Sequence, residues 1–167
     1  LEEQILQDGA HFELSPMYHQ IILDRVLDCI QLIKLNSWKN DDLLSLFEES
    51  SSKMLSWLDK VTFINRDIPM VNDSAFQIAP SSEELLDYGK SLDINIKDIK
   101  LSDSGYRMFK NQNYELFMDL GGVGASYQPG HVHSDTFNFV LHTNNQPFIV
   151  DTGTSTYEKN DRRQLER

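Results

Sequence analysis

The sequence predicts an α+β protein in which helices come first and antiparallel strands follow. In the first half, apolar residues recur at three- and four-residue steps, which places them on one face of a helix. Beyond residue 97 the pattern changes to short apolar segments separated by turn residues, which is typical of strands. We therefore predict a helical domain over residues 1–97 and the start of an antiparallel β domain over residues 98–167.

Three helices are predicted in the first part of the chain. Their starts are marked by residues whose side chains accept hydrogen bonds from the free amides of a first helical turn, namely Ser15, Asn40 or Asp41, and Ser81. Glu84 follows Ser81 at the spacing of a capping box, and the third helix is expected to end near Gly89. The expected buried faces are Tyr18, Ile22, Val26, Cys29, Ile30 and Ile33 in the first helix, and Leu43, Leu44, Phe47, Met54, Leu55 and Leu58 in the second.

Four strands are predicted in the second part, over residues 106–110, 114–120, 136–142 and 147–151. The asparagine-rich turns at residues 111–113 and 144–145 join them as two hairpins. In the third strand, alternation places Phe137, Phe139 and Leu141 on one face, which we expect to be the apolar face.

Composition excludes several classes of protein. The formal net charge of −11 argues against a nucleic-acid partner, which would favour an excess of Lys and Arg. Apolar residues make up 40% of the chain, which is enough for a packed core. Cys29 is the only cysteine, so an internal disulfide and a cysteine-rich zinc module are excluded. No apolar stretch is long enough to predict a membrane span.

The strongest chemical signal is the segment His-Val-His-Ser-Asp at residues 131–135. If this segment is a strand, His131 and His133 point to the same side, because side chains two residues apart share a face. Two imidazoles at this spacing can bind one metal ion, or divide into one metal ligand and one proton carrier. Two surface histidines beside a turn are an equally good interpretation.

Two further residues are candidates on local grounds. Asp151 follows an apolar strand and is either a metal ligand or a turn aspartate that accepts from nearby amides, and the residues alone favour the turn. Tyr18 lies in the first turn of the first helix, where the helix dipole favours negative charge. A phenol pKa of about 10 would be lowered there, as a general base requires. The competing interpretation, which the residues alone favour, is a structural tyrosine in the amphipathic stripe.

Together these segments resemble the heparinase II/III-like polysaccharide lyases. Residues 4–19 (QILQDGAHFELSPMYH) resemble the end of that family's helical toroid. Residues 129–136 (PGHVHSDT) and 148–157 (FIVDTGTSTY) resemble the start of its β-sandwich. Shorter matches at residues 72–74 and 103–106 fall in the expected order, so the resemblance covers nearly the whole chain.

The resemblance implies the C-terminal helices of an (α/α) toroid over residues 1–97, followed by the first strands of an antiparallel β-sandwich over residues 98–167. It implies β-elimination on a uronic-acid-containing polysaccharide, with Tyr18 and His131 as the catalytic residues. This reaction needs the uronate carboxylate neutralised, a base for the C5 proton and an acid for the leaving oxygen. The residue that neutralises the carboxylate is expected before Leu1.

The resemblance also implies a structural zinc ion. His133 and Asp151 are the ligands that it places in this chain, and a third ligand, a histidine, is expected just after Arg167. The substrate-binding positions that it implies are His11, Glu13 and Asn72.

An acidic polysaccharide is the expected partner, in the periplasm or outside a bacterial cell, and the isolated chain is expected to be inactive. Residues 1–97 hold 17 acids and 8 bases, whereas a highly sulfated polymer requires cations, so either upstream residues supply them or, as we favour, the polymer is sparsely sulfated or unsulfated. The alternative function is a non-catalytic carbohydrate-binding relative of the same fold. A protein-interaction scaffold is disfavoured, since it has no need of the polar pair Tyr18 and His131.

Overall fold

In a computed structural model the chain begins with three helices and continues into a four-stranded antiparallel sheet. The structure describes residues 1–36, 40–122, 124, 127, 130–131, 133, 136–154 and 156–165. The helices are α1 (Pro16–Leu35), α2 (Asp41–Val61), α3 (Ser82–Ser91) and the short α4 (Asp161–Leu165). The strands are β1 (Tyr106–Lys110), β2 (Tyr114–Asp119), β3 (Phe139–Thr143) and β4 (Gln146–Ile149). The predicted α+β class is confirmed.

The predicted capping residues are found at the starts of the three long helices: Ser15, Asn40 and Ser81, the last in a complete capping box. Helix α3 continues past Gly89, which we expected near its end, to Ser91. Gly89 is buried against Leu55 of α2, where a Cβ would come within 2.4 Å of the leucine Cδ1 atom. This glycine therefore allows two helices to approach closely.

The buried faces of α1 and α2 differ in detail from the expected ones. In α1 the deepest residues include Leu23 and Leu27, while Tyr18 is only partly buried because it lies toward the edge of the packed face. In α2 the fully buried residues begin at Ser50, the predicted Leu44 and Phe47 pack against the core while only partly buried, and Leu43 near the helix start is 39% exposed. Helix geometry fixes the period at which residues recur on such a face, but the extent of the buried face depends on which neighbouring elements cover it.

The four strands follow each other in the sheet in chain order, as two hairpins and a longer connection from β2 to β3. Asn144 and Asn145 both have positive φ, 51° and 62°, which is the backbone that a tight type I′ hairpin turn requires. The predicted turn between β3 and β4 is therefore confirmed. The connection from β2 to β3 carries the histidine segment.

The predicted face of β3 is wrong, and so is its start. The strand begins at Phe139, because Phe137 has a φ of 68° and lies in a turn. The packed face carries Val140 and His142, each 3% exposed, whereas Phe139 is 39% exposed. The reason is register: Val140 lies opposite the fully buried Phe117 of β2, and that pairing decides which set of alternating side chains points inward.

Two apolar clusters hold the fold. The first packs α1, α2 and α3 together and is formed by Met17, Leu23, Val26, Leu27, Ile30, Met54, Leu55, Leu58, Ile68, Leu85, Leu92 and Ile94. The second joins the helical part to the sheet and is formed by Ala10, Leu14, Trp57, Val61, Phe63, Val71, Leu101, Tyr106, Phe117 and Val140. Because the second cluster draws residues from both parts, the segment that precedes α1 is held between them.

A buried carboxylate reinforces this join. Asp8 is 5% exposed, and one of its oxygens accepts hydrogen bonds from the Ser102 amide at 3.0 Å, the Ser104 amide at 3.0 Å and the Ser104 hydroxyl at 2.7 Å. Three hydrogen bonds to one carboxylate oxygen offset the cost of burying its charge. The residues that follow Asp8 therefore have a fixed position beside the sheet. Within the described part of the chain, no helix is both long and apolar enough to cross a membrane.

Candidate active site

Two rings that are far apart in sequence meet at the start of α1. The rings of Tyr18 and His131 are stacked, with centroids 3.9 Å apart and planes inclined by 24°. The backbone of Tyr18 is fixed by the Ser15 hydroxyl, which accepts a hydrogen bond from the Tyr18 amide at 3.4 Å. The structure thus brings together the two residues to which the resemblance assigns catalysis, and their roles remain predictions.

The imidazole of His131 is also paired with a carboxylate. Nδ1 of His131 lies 2.6 Å from Oε2 of Glu13, and the two side chains are only 27% and 17% exposed. A contact of this length between partly buried groups is a charge-assisted hydrogen bond. The resemblance assigns Glu13 to the substrate, whereas in the structure its carboxylate contacts a histidine.

His131 and His133, the described residues of the histidine segment, belong to no strand, which corrects the sequence interpretation. Its backbone is held instead by the loop before α3: the Asp73 amide donates to the His131 carbonyl at 3.1 Å, and the His133 amide donates to Oδ1 of Asn72 at 3.1 Å. The two-residue spacing therefore gives no common sheet face to His131 and His133. Residues 132, 134 and 135 of the predicted motif lie outside the described part of the chain.

Asn72 links three segments that surround the site. Its side-chain nitrogen donates to the Leu14 carbonyl and to the Tyr106 hydroxyl oxygen, each at 3.0 Å, and the residue is 5% exposed. With its oxygen on the His133 amide, the side chain connects the approach to α1, strand β1 and the histidine segment. Asn72 has a φ of 54°, a left-handed backbone that asparagine tolerates better than most residues. Its predicted contact with substrate remains a prediction.

Two buried histidines lie behind the site. The His11 amide donates to Nδ1 of His19 at 3.1 Å, so Nε2 of His19 carries the proton that is shared with the Met54 carbonyl at 3.1 Å. Burial lowers the pKa of His19 to about 3. His11 is 4% exposed, and burial also lowers its pKa, with Glu13 opposing and His131 adding to that effect. The side chain of His11 is therefore buried, and its contact with substrate remains a prediction.

The electrostatics at Tyr18 run opposite to the expectation from the helix dipole. Burial raises the pKa of its phenol, and the nearby carboxylates of Asp73 and Glu13 raise it further. The pKa is therefore raised, first by burial and then by two negative groups, where the helix dipole alone predicted that it would be lowered. Tyr18 is therefore protonated at neutral pH in this chain, as a proton donor must be.

Sequence reasoning gave no role to Asp73 or to its hydrogen-bond partner Tyr157. Asp73 acts on Tyr18 electrostatically, and it also accepts a hydrogen bond from the hydroxyl of Tyr157. Both fall within segments that resemble the family, residues 72–74 and 148–157, but neither carried a chemical signal of its own.

The predicted zinc ligands have protein partners of their own. The hydroxyl oxygen of Thr154 lies 3.2 Å from Nε2 of His133. The carboxylate of Asp151 accepts from the Asn138 side chain and from the Gly153 amide at 2.6 Å, which is the turn arrangement that the residues alone favour. Imidazole nitrogen and carboxylate oxygen are suitable zinc donors, but no group of three candidate metal ligands occurs among the residues that the structure describes. His133 and Asp151 are therefore of donor types that fit zinc, but two ligands do not complete a zinc site.

Comparison with known protein families accounts for nearly the whole chain. The family profile described as "Heparinase II/III N-terminus" matches residues 1–88, and the profile described as "Heparinase II/III-like, C-terminal" matches residues 95–167. The chain belongs to the heparinase II/III-like family. No curated protein is similar enough in sequence to be matched.

Solved structures show the same fold. The heparan sulfate lyase HepC from Pedobacter heparinus superposes with a TM-score of 0.75 at 18% identity over 99% of this chain and 29% of that enzyme. A heparinase III, the BT4657 gene product, gives a TM-score of 0.77 at 17% identity over 99% of this chain and 28% of the other. The chain therefore spans less than a third of the length of either protein.

Proposed function

We propose that the chain is part of a polysaccharide lyase that cleaves a uronic-acid-containing polysaccharide by β-elimination, with Tyr18 and His131 as the proton-transferring residues. The observation that carries this proposal is the stacked contact between the two rings, 3.9 Å apart, with the Glu13 carboxylate on the imidazole. Membership of the heparinase II/III-like family supports it.

The proposed reaction divides proton transfer between the two rings. Nε2 of His131 is the imidazole atom left for substrate when Nδ1 is on Glu13, and we assign it removal of the C5 proton. The electron pair of that bond forms the C4–C5 double bond, and the C4–oxygen bond breaks. Tyr18, whose pKa is raised, then donates its proton to the leaving oxygen. The group that neutralises the uronate carboxylate is expected upstream of this chain.

The charge around the site bears on the choice of polymer. Asp73 and Glu13 both act on Tyr18, and the chain as a whole carries a net charge of −11. A highly sulfated polyanion would be repelled here unless upstream residues supply cations. We therefore propose a sparsely sulfated or unsulfated substrate, met in the periplasm or outside a bacterial cell.

A substrate screen on the full-length enzyme tests the proposed function. Heparan sulfate, heparin, unsulfated glycosaminoglycans, alginate and bacterial capsule polymers are offered separately. We expect ultraviolet absorbance of an unsaturated uronate to rise with an unsulfated or sparsely sulfated polymer. Oligosaccharide binding without product from any polymer would contradict the lyase and support the non-catalytic carbohydrate-binding relative.

We further propose that His133 and Asp151 ligate a structural zinc ion, with a third histidine ligand beyond this chain. When bound, such an ion supplies a cross-link that stabilises the fold and no chemistry. Because an imidazole that is bound to zinc has no lone pair left for a proton, catalysis by His131 requires that His131 stay off the metal, and we assign the metal to His133. The Thr154 hydroxyl, 3.2 Å from His133 Nε2, can orient that ring.

Two matched variants of the full-length enzyme separate these roles. His131→Ala is expected to lose turnover while keeping its zinc content and thermal stability. His133→Ala is expected to lose zinc and thermal stability together, and activity falls as a consequence. Metal analysis and thermal denaturation are the measurements. Equal loss of zinc in both variants would show that the pair is a two-histidine metal site.

A further inference from the structure

We infer that Glu13 is a positioning residue whose carboxylate fixes the tautomer and orientation of the His131 imidazole. This role replaces the substrate contact that the resemblance implies for Glu13. The inference rests on the proposed function for its catalytic consequence. Its structural content stands on the 2.6 Å contact between Glu13 Oε2 and His131 Nδ1.

His131 is held at three points, two on its ring and one on its backbone. Tyr18 covers one face of the ring, Glu13 holds Nδ1, and the Asp73 amide holds the carbonyl of the same residue at 3.1 Å. The connection that carries His131 also approaches Glu13 at another point: a Cβ on Gly124 would lie 3.1 Å from the Phe12 carbonyl oxygen and 3.6 Å from the Glu13 carbonyl carbon. The backbone of Glu13 therefore packs against this connection as well as contacting His131 through its side chain.

The carboxylate selects which ring nitrogen carries the proton. A carboxylate only accepts hydrogen bonds, so it favours the imidazole with hydrogen on Nδ1 and leaves the lone pair on Nε2. In Ser-His-Asp proteases a carboxylate performs this task, and its replacement by an amide costs about 10⁴ in kcat because the wrong tautomer forms. Glu13 stands in the same relation to His131, at a separation of 118 residues in the chain.

Charge argues against a primary contact between Glu13 and the substrate. A uronate polymer is an anion, and an unpaired carboxylate in the cleft would repel it. Paired with His131, the same carboxylate stabilises the imidazolium that forms when the C5 proton is removed. The negative charge then assists the reaction at the step where positive charge develops.

The test uses Glu13→Gln and Glu13→Asp in the full-length enzyme, with Glu2→Gln, an exposed residue, as the charge-matched control. We expect Glu13→Gln to lower kcat by about 10²–10⁴ with KM changed by less than about threefold, and to alter the pH dependence of kcat. Glu13→Asp keeps the charge on a shorter side chain and is expected to be intermediate. The control keeps wild-type rates. A rise in KM with kcat retained would overturn the inference in favour of substrate binding.

An activity-independent measurement separates this inference from the proposed function. The side-chain nitrogens of histidine are labelled with ¹⁵N, and the His131 signals are assigned by their loss in His131→Gln. We expect a proton on Nδ1 in the wild type and a mixture of tautomers in Glu13→Gln. An unchanged tautomer in Glu13→Gln would refute the positioning role. If the enzyme cleaves no polymer, the proposed function fails, and the nitrogen spectra still decide the role of Glu13.

Discussion

Replacing Tyr18 by Phe in the full-length enzyme is expected to lower kcat by about 10²–10⁴, which is the range that general acid–base catalysis contributes. The substitution removes one oxygen and keeps the ring, so the stack on His131 can persist. Burial and two carboxylates raise the pKa of this phenol, which keeps the proton in place for the leaving oxygen. Initial rates from product absorbance give kcat, and thermal denaturation is expected to show an unchanged fold.

Tyr88→Phe is the matched control. The Tyr88 hydroxyl donates to Asp28 at 3.1 Å, and its pKa is raised by burial and then by that hydrogen bond. Tyr88→Phe therefore removes the same hydroxyl oxygen as Tyr18→Phe, from a phenol whose pKa is also raised. Tyr88 lies on α3, whereas Tyr18 is stacked on His131. We expect wild-type rates from Tyr88→Phe. A loss of only a few-fold in Tyr18→Phe, or an equal loss in both variants, would remove Tyr18 from the reaction.

Local rules predicted the helices and hairpins well. Ser15, Asn40 and Ser81 cap helices because the interaction spans only three residues, and at Ser15 it persists although the hydroxyl also contacts the Asp73 carbonyl and the Ser74 hydroxyl. Strand β1 occupies the predicted residues 106–110 for the same reason, since a turn of asparagines defines its end. These features depend on neighbours in the chain, so the sequence contains all the information that they need.

The packed face of β3 could not be predicted in this way. Alternation shows that Phe139 and Leu141 share a face, but it does not say whether that face packs inward. The answer depends on the pairing of Val140 with Phe117 and on the packing of that pair beside Trp57, which is 83 positions before Val140 in the chain. Large aromatic side chains on the outer face misled the prediction, because size and hydrophobicity alone do not fix orientation.

The candidate site, like the fold, could be predicted from the sequence only in part. The resemblance located Tyr18 and His131, and the structure places them in contact. The role of Glu13 was not accessible, because a carboxylate beside a helix start has many possible partners and its actual partner lies 118 residues away. The lowered pKa expected for Tyr18 is wrong for a related reason: the helix dipole is a local effect, whereas the burial of the phenol and the approach of Asp73 both depend on segments distant in the chain.

Acid is expected to destabilise the fold through His19, which the reaction does not use. In the folded state burial lowers the pKa of His19 to about 3, whereas the ordinary value is 6.5. Between these values the unfolded chain binds a proton that the folded chain does not, so the free energy of unfolding falls as pH falls. The stability linked to neutral His19 is fully present above pH 6.5. It is lost progressively as pH falls toward 3, by up to roughly 5 kcal/mol.

His19→Gln isolates this contribution, because glutamine can accept from the His11 amide and donate to the Met54 carbonyl as the imidazole does, yet does not titrate. The measurement is denaturant unfolding of wild type and variant at a series of pH values from 8 down to about 4. We expect the two curves to converge as pH falls below 6.5, since only the wild type loses stability through this site. Parallel curves over that range would mean that residue 19 carries no proton-linked stability, and that the buried imidazole gains its proton without unfolding the helices around it.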